Sequence, residues 1–165
     1  MTTNPKETLL DWLRDAHAME KALVGMLDKQ AKRAEGHPAM KQKLEEHRDV
    51  TKMQMERLET VIKKMGGDTS TLKDLSYSIA GHVHNMVPAS SPDGIVKIAL
   101  ANHGIENFEI ACYKSLVAAA ESMGETEVAR VCRELLDQET EMANYLSHHI
   151  PHLTNEYLQK TAIKK

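Results

Sequence analysis

Apolar residues recur at alternating spacings of three and four along four long stretches of the chain, the pattern of amphipathic helices that each bury one face. The first stripe reads Leu13, Ala16, Glu20, Leu23, Leu27, and the second Met40, Leu44, His47, Thr51, Gln54, Leu58, Val61, Met65. The third is Ile95, Ala99, Asn102, Glu106, Glu109, Tyr113, Leu116, Ala120, Met123, and the fourth Val128, Cys132, Leu135, Glu139, Met142, Leu146, His149. Helix punctuation sets their expected limits. The first runs from about Lys6 to Ala34, with Gly36 placed to end it, and Pro38 opens the second where its missing N–H is harmless. The second continues to Met65 and stops at Gly66–Gly67. The third spans about 93–123, capped by Ser91 or Asp93, and the fourth about 125–150, ending before Pro151. Residues 152 to about 161 form one further short helix.

Two short turns and one long crossover, 68–91, with a short helix of its own at about 71–83, give the connectivity of a ferritin-like antiparallel four-helix bundle. The expected architecture is therefore all-α and a single domain over residues 1–165.

Every stripe is apolar towards its ends and polar near its middle. In an antiparallel bundle the helix midpoints share one level, so Glu20, Glu106, Glu109, Glu139, His47 and Gln54 converge on one small volume. Ionised carboxylates in an apolar interior must pair, take up protons or bind a cation. Carboxylate with imidazole suits iron, manganese or zinc. The bland alternative for any one glutamate is a place at the edge of its stripe with the head in water; three helices doing this at one depth weighs against it.

Composition agrees with helix: aromatic residues are 4% of the chain, and Ala, Leu, Met, Glu and Lys dominate. No apolar run is long enough to span a bilayer, and MTTNPKETLLDW lacks the features of a signal peptide, so a cytoplasmic protein without membrane contact is expected. Net charge is −3 with acids and bases interleaved, leaving no basic face for nucleic acid. Cys112 and Cys132 sit inside helical patterns and read as buried thiols rather than a disulfide. No nucleophile–base pair, phosphate-binding glycine loop or CxxC occurs, so the usual hydrolase, kinase and dithiol classes have no support. Nine histidines stand out. His82 and His84 fall in the crossover, and His148, His149 and His152 gather at the expected helix end, where a helix C-terminus favours imidazolium. His17, three residues before Glu20, is either an outer partner of that carboxylate or a surface residue.

The segments DWLRDAHAMEK (11–21), ENFEIACY (106–113) and QETEMANYL (138–146) resemble the YciE/YciF group of bacterial stress-response proteins, its YciE branch above all. The resemblance covers about residues 9–158. It implies a ferritin-like subunit, a homodimer or a pairing with a related member of the group, and a dinuclear iron or manganese site of the rubrerythrin type. Carried over residue by residue, Glu20 matches the first-helix ligand, Glu106 and Glu109 the third-helix pair, and Glu139 the fourth-helix carboxylate. Two positions depart from that pattern: Val50 stands where relatives carry a second-helix Glu, and Met142 where a fourth-helix His is usual. Two readings follow. Either Glu20, Glu106, Glu109 and Glu139 still hold one or two metals with help from His47, Gln54 or His103, serving iron or peroxide chemistry, or the site is vestigial, holds no metal, and the bundle acts in assembly or interaction. A DNA-protecting mini-ferritin is weaker, for want of a basic arm.

Overall fold

The computed structural model describes residues 4–69 and 91–163. Four helices make up the described chain: α1 Pro5–Arg33, α2 Pro38–Lys64, α3 Gly94–Ser122 and α4 Thr126–Ala162. The short helix expected at about 71–83 and the histidines at 82 and 84 lie outside the described residues.

Local sequence explains each boundary. Asn4 caps α1 by accepting a hydrogen bond from the Lys6 amide, and Pro5 and Pro38 occupy first-turn positions where no intrahelical N–H is needed. Gly66 and Gly124 follow the ends of α2 and α3 with positive φ, +84° and +70°, a backbone turn that glycine makes without a Cβ clash. At the start of α3 the cap position is Asp93, but its side chain serves Lys97, at 2.9 Å, rather than the helix amides.

Helix α4 departs from expectation. It does not stop before Pro151 and no separate C-terminal helix follows: one continuous helix passes through the proline to Ala162. The proline ring removes the N–H that would meet the Ser147 carbonyl, but Ser147 and Pro151 both lie on the exposed face, where water can serve that carbonyl. Beyond the proline, Leu153 is buried in the same apolar cluster as Leu27, Ala31, Met40 and Leu146, which holds the next turns against the bundle. His148, His149 and His152 are consequently mid-helix residues, not terminal ones. His149 stacks on the Tyr145 ring at 3.9 Å, an aromatic pairing with no helix dipole involved.

The bundle consists of two close antiparallel hairpins. Helices α1 and α2 pack along each other, as do α3 and α4, whereas α1 meets α3 and α2 meets α4 more sparingly. Burial follows the sequence stripes closely, with only Met65, Met123 and His149 half-exposed. Two apolar clusters fill the ends. One holds Leu9, Leu13, Leu58, Ile62, Leu116, Cys132 and Leu135; the other holds Leu27, Leu44, Ile95, Ile98, Ala99, Met142 and Leu146. Both cysteines are free; Cys132 is buried and Cys112 only half so. Among the described residues no helix is long and apolar enough to cross a membrane.

Candidate metal centre

Between the two apolar clusters lies a polar layer contributed by all four helices. Glu20 from α1, His47 and Gln54 from α2, Glu106 and Glu109 from α3, and Glu139 from α4 are all buried, none more than 6% exposed. The helical repeat puts them there: 47 and 54 lie seven residues apart, and 106 and 109 three apart, so each pair shares a face. The apolar residues above and below then carry those faces into the core.

Two groups of three potential ligands form within the layer, His47–Glu106–Glu139 and Glu20–Glu109–Glu139, the ligand atoms of each within 4.8 Å of one another. Glu139 belongs to both. The His47 Nε2 lies 3.2 Å from Glu106 Oε1 and 3.7 Å from Glu139 Oε2. Two neutral donors hold the carboxylates: the Gln54 amide donates to Glu139, and the Tyr113 hydroxyl donates to Glu20. Gln54 also donates to Gln138 Oε1 at 3.1 Å.

The layer is electrostatically unsettled. Loss of water raises every one of the four carboxyl pKa values, and their mutual repulsion adds to the effect at Glu20, Glu109 and Glu139. Glu106 is pushed up to about 7 by burial, offset partly by its hydrogen bond with Glu139, and Glu139 is pushed up to about 9 by burial and by Glu106. Burial lowers the His47 pKa, which leaves the imidazole neutral with a nitrogen lone pair available. Each carboxylate keeps one buried oxygen without a hydrogen-bond partner: Glu20 Oε2, Glu106 Oε2, Glu109 Oε1 and Glu139 Oε2. Unpartnered buried oxygens are rare in stable folds and are what a cation would satisfy. The donor set therefore fits a pair of divalent cations, whose charge would balance four carboxylates.

Not every sequence candidate joins the layer. His103 stands half-buried on the α3 flank, its ring Nε2 3.4 Å from Asn107 Nδ2, and belongs to neither group. His17 is largely buried, which lowers its pKa, with Glu59 and Lys21 as charged neighbours, and it belongs to neither ligand group. Two contributors were not read from sequence as parts of the site. Tyr113 looks like core on its stripe, and only the hydroxyl one helical turn beyond Glu109 hints otherwise. Gln138 sits beside Glu139 but belongs to a neighbouring face.

The model of the family described as "Domain of unknown function (DUF892)" matches residues 4–159. Among solved structures the chain is similar to a protein of Xanthomonas campestris pv. campestris, with 31% identity, TM-score 0.80, and 96% of this chain and 99% of that one covered. It is similar in fold to the E. coli stress protein YciF, with 22% identity, TM-score 0.83, and 93% and 99% covered. It is also similar in fold to the bacterioferritin of Desulfovibrio desulfuricans, a protein with a diiron site, with 18% identity, TM-score 0.76, and 96% and 91% covered. The bundle is thus ferritin-like.

Proposed function

We propose, from the premise that the chain belongs to the DUF892 family, that it is a ferritin-like carboxylate protein whose mid-bundle layer holds iron or manganese for peroxide or iron handling under stress. The observation that carries this reading is the set of four buried carboxylates, each with one oxygen left without a partner. Similarity in fold to a stress protein and to a bacterioferritin supports it.

Bound there, a pair of such ions would supply one-electron redox chemistry towards a peroxide. The chain's residues would do the rest. His47 offers a neutral nitrogen; Glu139 serves both ligand groups. Gln54 and Tyr113 fix the directions of Glu139 and Glu20 through their hydrogen bonds. The apolar clusters on either side exclude bulk water. A cytoplasmic setting, kinship with the YciE branch, and a homodimer or a pairing with a related family member belong to the same reading.

A second reading has its own support. Val50 and Met142 provide no charged or imidazole ligand, and the layer can relieve its charge without metal by holding protons on Glu106 and Glu139. The bundle would then be a structural or interaction protein. Metal analysis of untagged protein grown with added iron or manganese separates the two. About one to two equivalents, as a dinuclear site requires, lost when Glu106→Gln and Glu109→Gln are combined, support the first. Stoichiometry near zero leaves the second.

A further inference from the structure

The carboxylate layer is closed along the bundle axis by its two apolar clusters, so anything that reaches it must pass sideways between helices. Two grooves approach from opposite sides. The one between α1 and α3, about 310 Å³, carries Asp15 and Ser115 towards its rim, but Met19 and Leu116, both almost fully buried, form its floor. The one between α2 and α4 is smaller, about 150 Å³, and different in kind. Glu46 and Glu141 stand at its exposed rim beside Lys43, the partly buried Val50 and Gln138 form its walls, and Met142 and His47 lie further in.

We propose that this α2–α4 pocket is the port by which a divalent cation passes between solvent and the carboxylate layer. The inference rests on the reading that the layer holds such a cation. Three observations carry it. First, His47 belongs to both places: it lines the pocket, and its Nε2 lies 3.2 Å from Glu106. The inner wall of the pocket is therefore part of the layer. Second, a continuous polar track leads inward, since Gln138 in the pocket accepts from Gln54, and Gln54 donates to Glu139. Third, two carboxylates face one lysine at the rim, and the Lys43 ammonium is held 5.1 Å above the Tyr145 ring, a cation–π placement to one side. In the α1–α3 groove the half-buried Cys112 thiol is the one polar side chain of the lining that neighbours Glu20 and Glu109. It is set among Met19, Ala16 and Leu116, with no chain of hydrogen bonds leading inward comparable to Gln138–Gln54–Glu139.

The pocket is also roomy enough. At about 150 Å³ it far exceeds the ~10–15 Å³ that one water needs, so an ion can keep part of its hydration while it exchanges water for the Gln138 carbonyl and the His47 nitrogen. Val50 and Met142 are uncharged, and neither holds the ion back on its way.

The test follows Co²⁺ uptake by metal-free protein in stopped flow, read by the visible absorption of the ion. Val50→Phe narrows the pocket and should slow uptake by about tenfold or more, because passage then waits on local opening of the bundle. Glu46→Gln with Glu141→Gln removes the attracting rim charge and should slow uptake by up to about tenfold, with a weaker dependence on salt. Both should bind the wild-type equivalents at equilibrium. Ser115→Phe, at the rim of the opposite groove, should load at the wild-type rate. Unchanged rates in the first two variants, or slowing confined to Ser115→Phe, overturn the port and leave the metal reading standing. Wild-type protein that takes up no Co²⁺, Mn²⁺ or Fe²⁺ overturns both. The exposed Glu46/Glu141 pair keeps the test decisive if Val50→Phe fails to fold.

Discussion

A carboxylate taken out of water holds its proton more tightly, and neighbouring carboxylates strengthen that hold. The four glutamates of the layer therefore bind protons in the folded chain at pH values where the unfolded chain has released them. For groups whose folded pKa is raised, the stability contribution is complete below the unfolded value and is lost as pH climbs through the folded one. Here the window opens near the ordinary glutamate value of 4.5 and extends through about 7 for Glu106 and about 9 for Glu139. Metal-free protein should accordingly lose melting temperature steadily from pH 5 to pH 9, in melts followed by circular dichroism. Combining Glu106→Gln with Glu109→Gln should flatten that decline and raise Tm at pH 8. A melting temperature that rises across the window would contradict the protonated state of the layer. At this scale the sequence was informative about depth and poor about direction. The spacing of Glu20, Glu106, Glu109 and Glu139 on apolar stripes was enough to place them inside. It could not show that His103, one turn before Glu106, points along the flank to Asn107, because a residue about 60° from the centre of a stripe can turn either way. Nor could it show that Tyr113 turns its hydroxyl towards α1, since a tyrosine reads as core whichever partner its oxygen finds.

At the scale of elements, glycines and first-turn prolines marked the helix limits to within a residue or two, because their backbone preferences are local. Pro151 misled for the same reason. A proline inside a helix costs about 3 kcal/mol relative to alanine, yet that penalty competes with packing beyond the reach of local sequence. Leu153 buried against Leu27 and Ala31, and the His37–Glu156 approach of 3.6 Å, tie the last turns of α4 to the end of the α1–α2 hairpin. The penalty is carried, not avoided. Pro151→Ala should therefore stabilise the protein by about 1–3 kcal/mol, measured by urea denaturation, with the fold unchanged. Destabilisation would mean that the proline shapes α4 in a way the packing needs.

For the whole molecule, the fold class was legible because all four stripes and both short turns are local patterns. The way the helices pair is less so, since it depends on contacts between distant segments. The result is a molecule of two hairpins that meet through two apolar clusters with a polar layer between them, and anything bound in that layer should add to the stability of the whole. At a free Mn²⁺ concentration one hundred times its dissociation constant, loading should add about 2.7 kcal/mol, seen as a raised urea midpoint that chelator reverses. No shift at any Mn²⁺ concentration would favour the metal-free bundle.

The composition of the two ligand groups has a mechanical side. Each draws one residue from the α1–α2 hairpin, His47 or Glu20, and two from the α3–α4 hairpin. An occupied group would thus be a rivet between halves whose only covalent link is the crossover. Separating the hairpins, the least demanding way to open the bundle because α1–α3 and α2–α4 contacts are sparse, would first require the rivet to be pulled. Amide protons in the middle turns of all four helices should then exchange together and slowly in loaded protein, and hairpin by hairpin once the ion is removed.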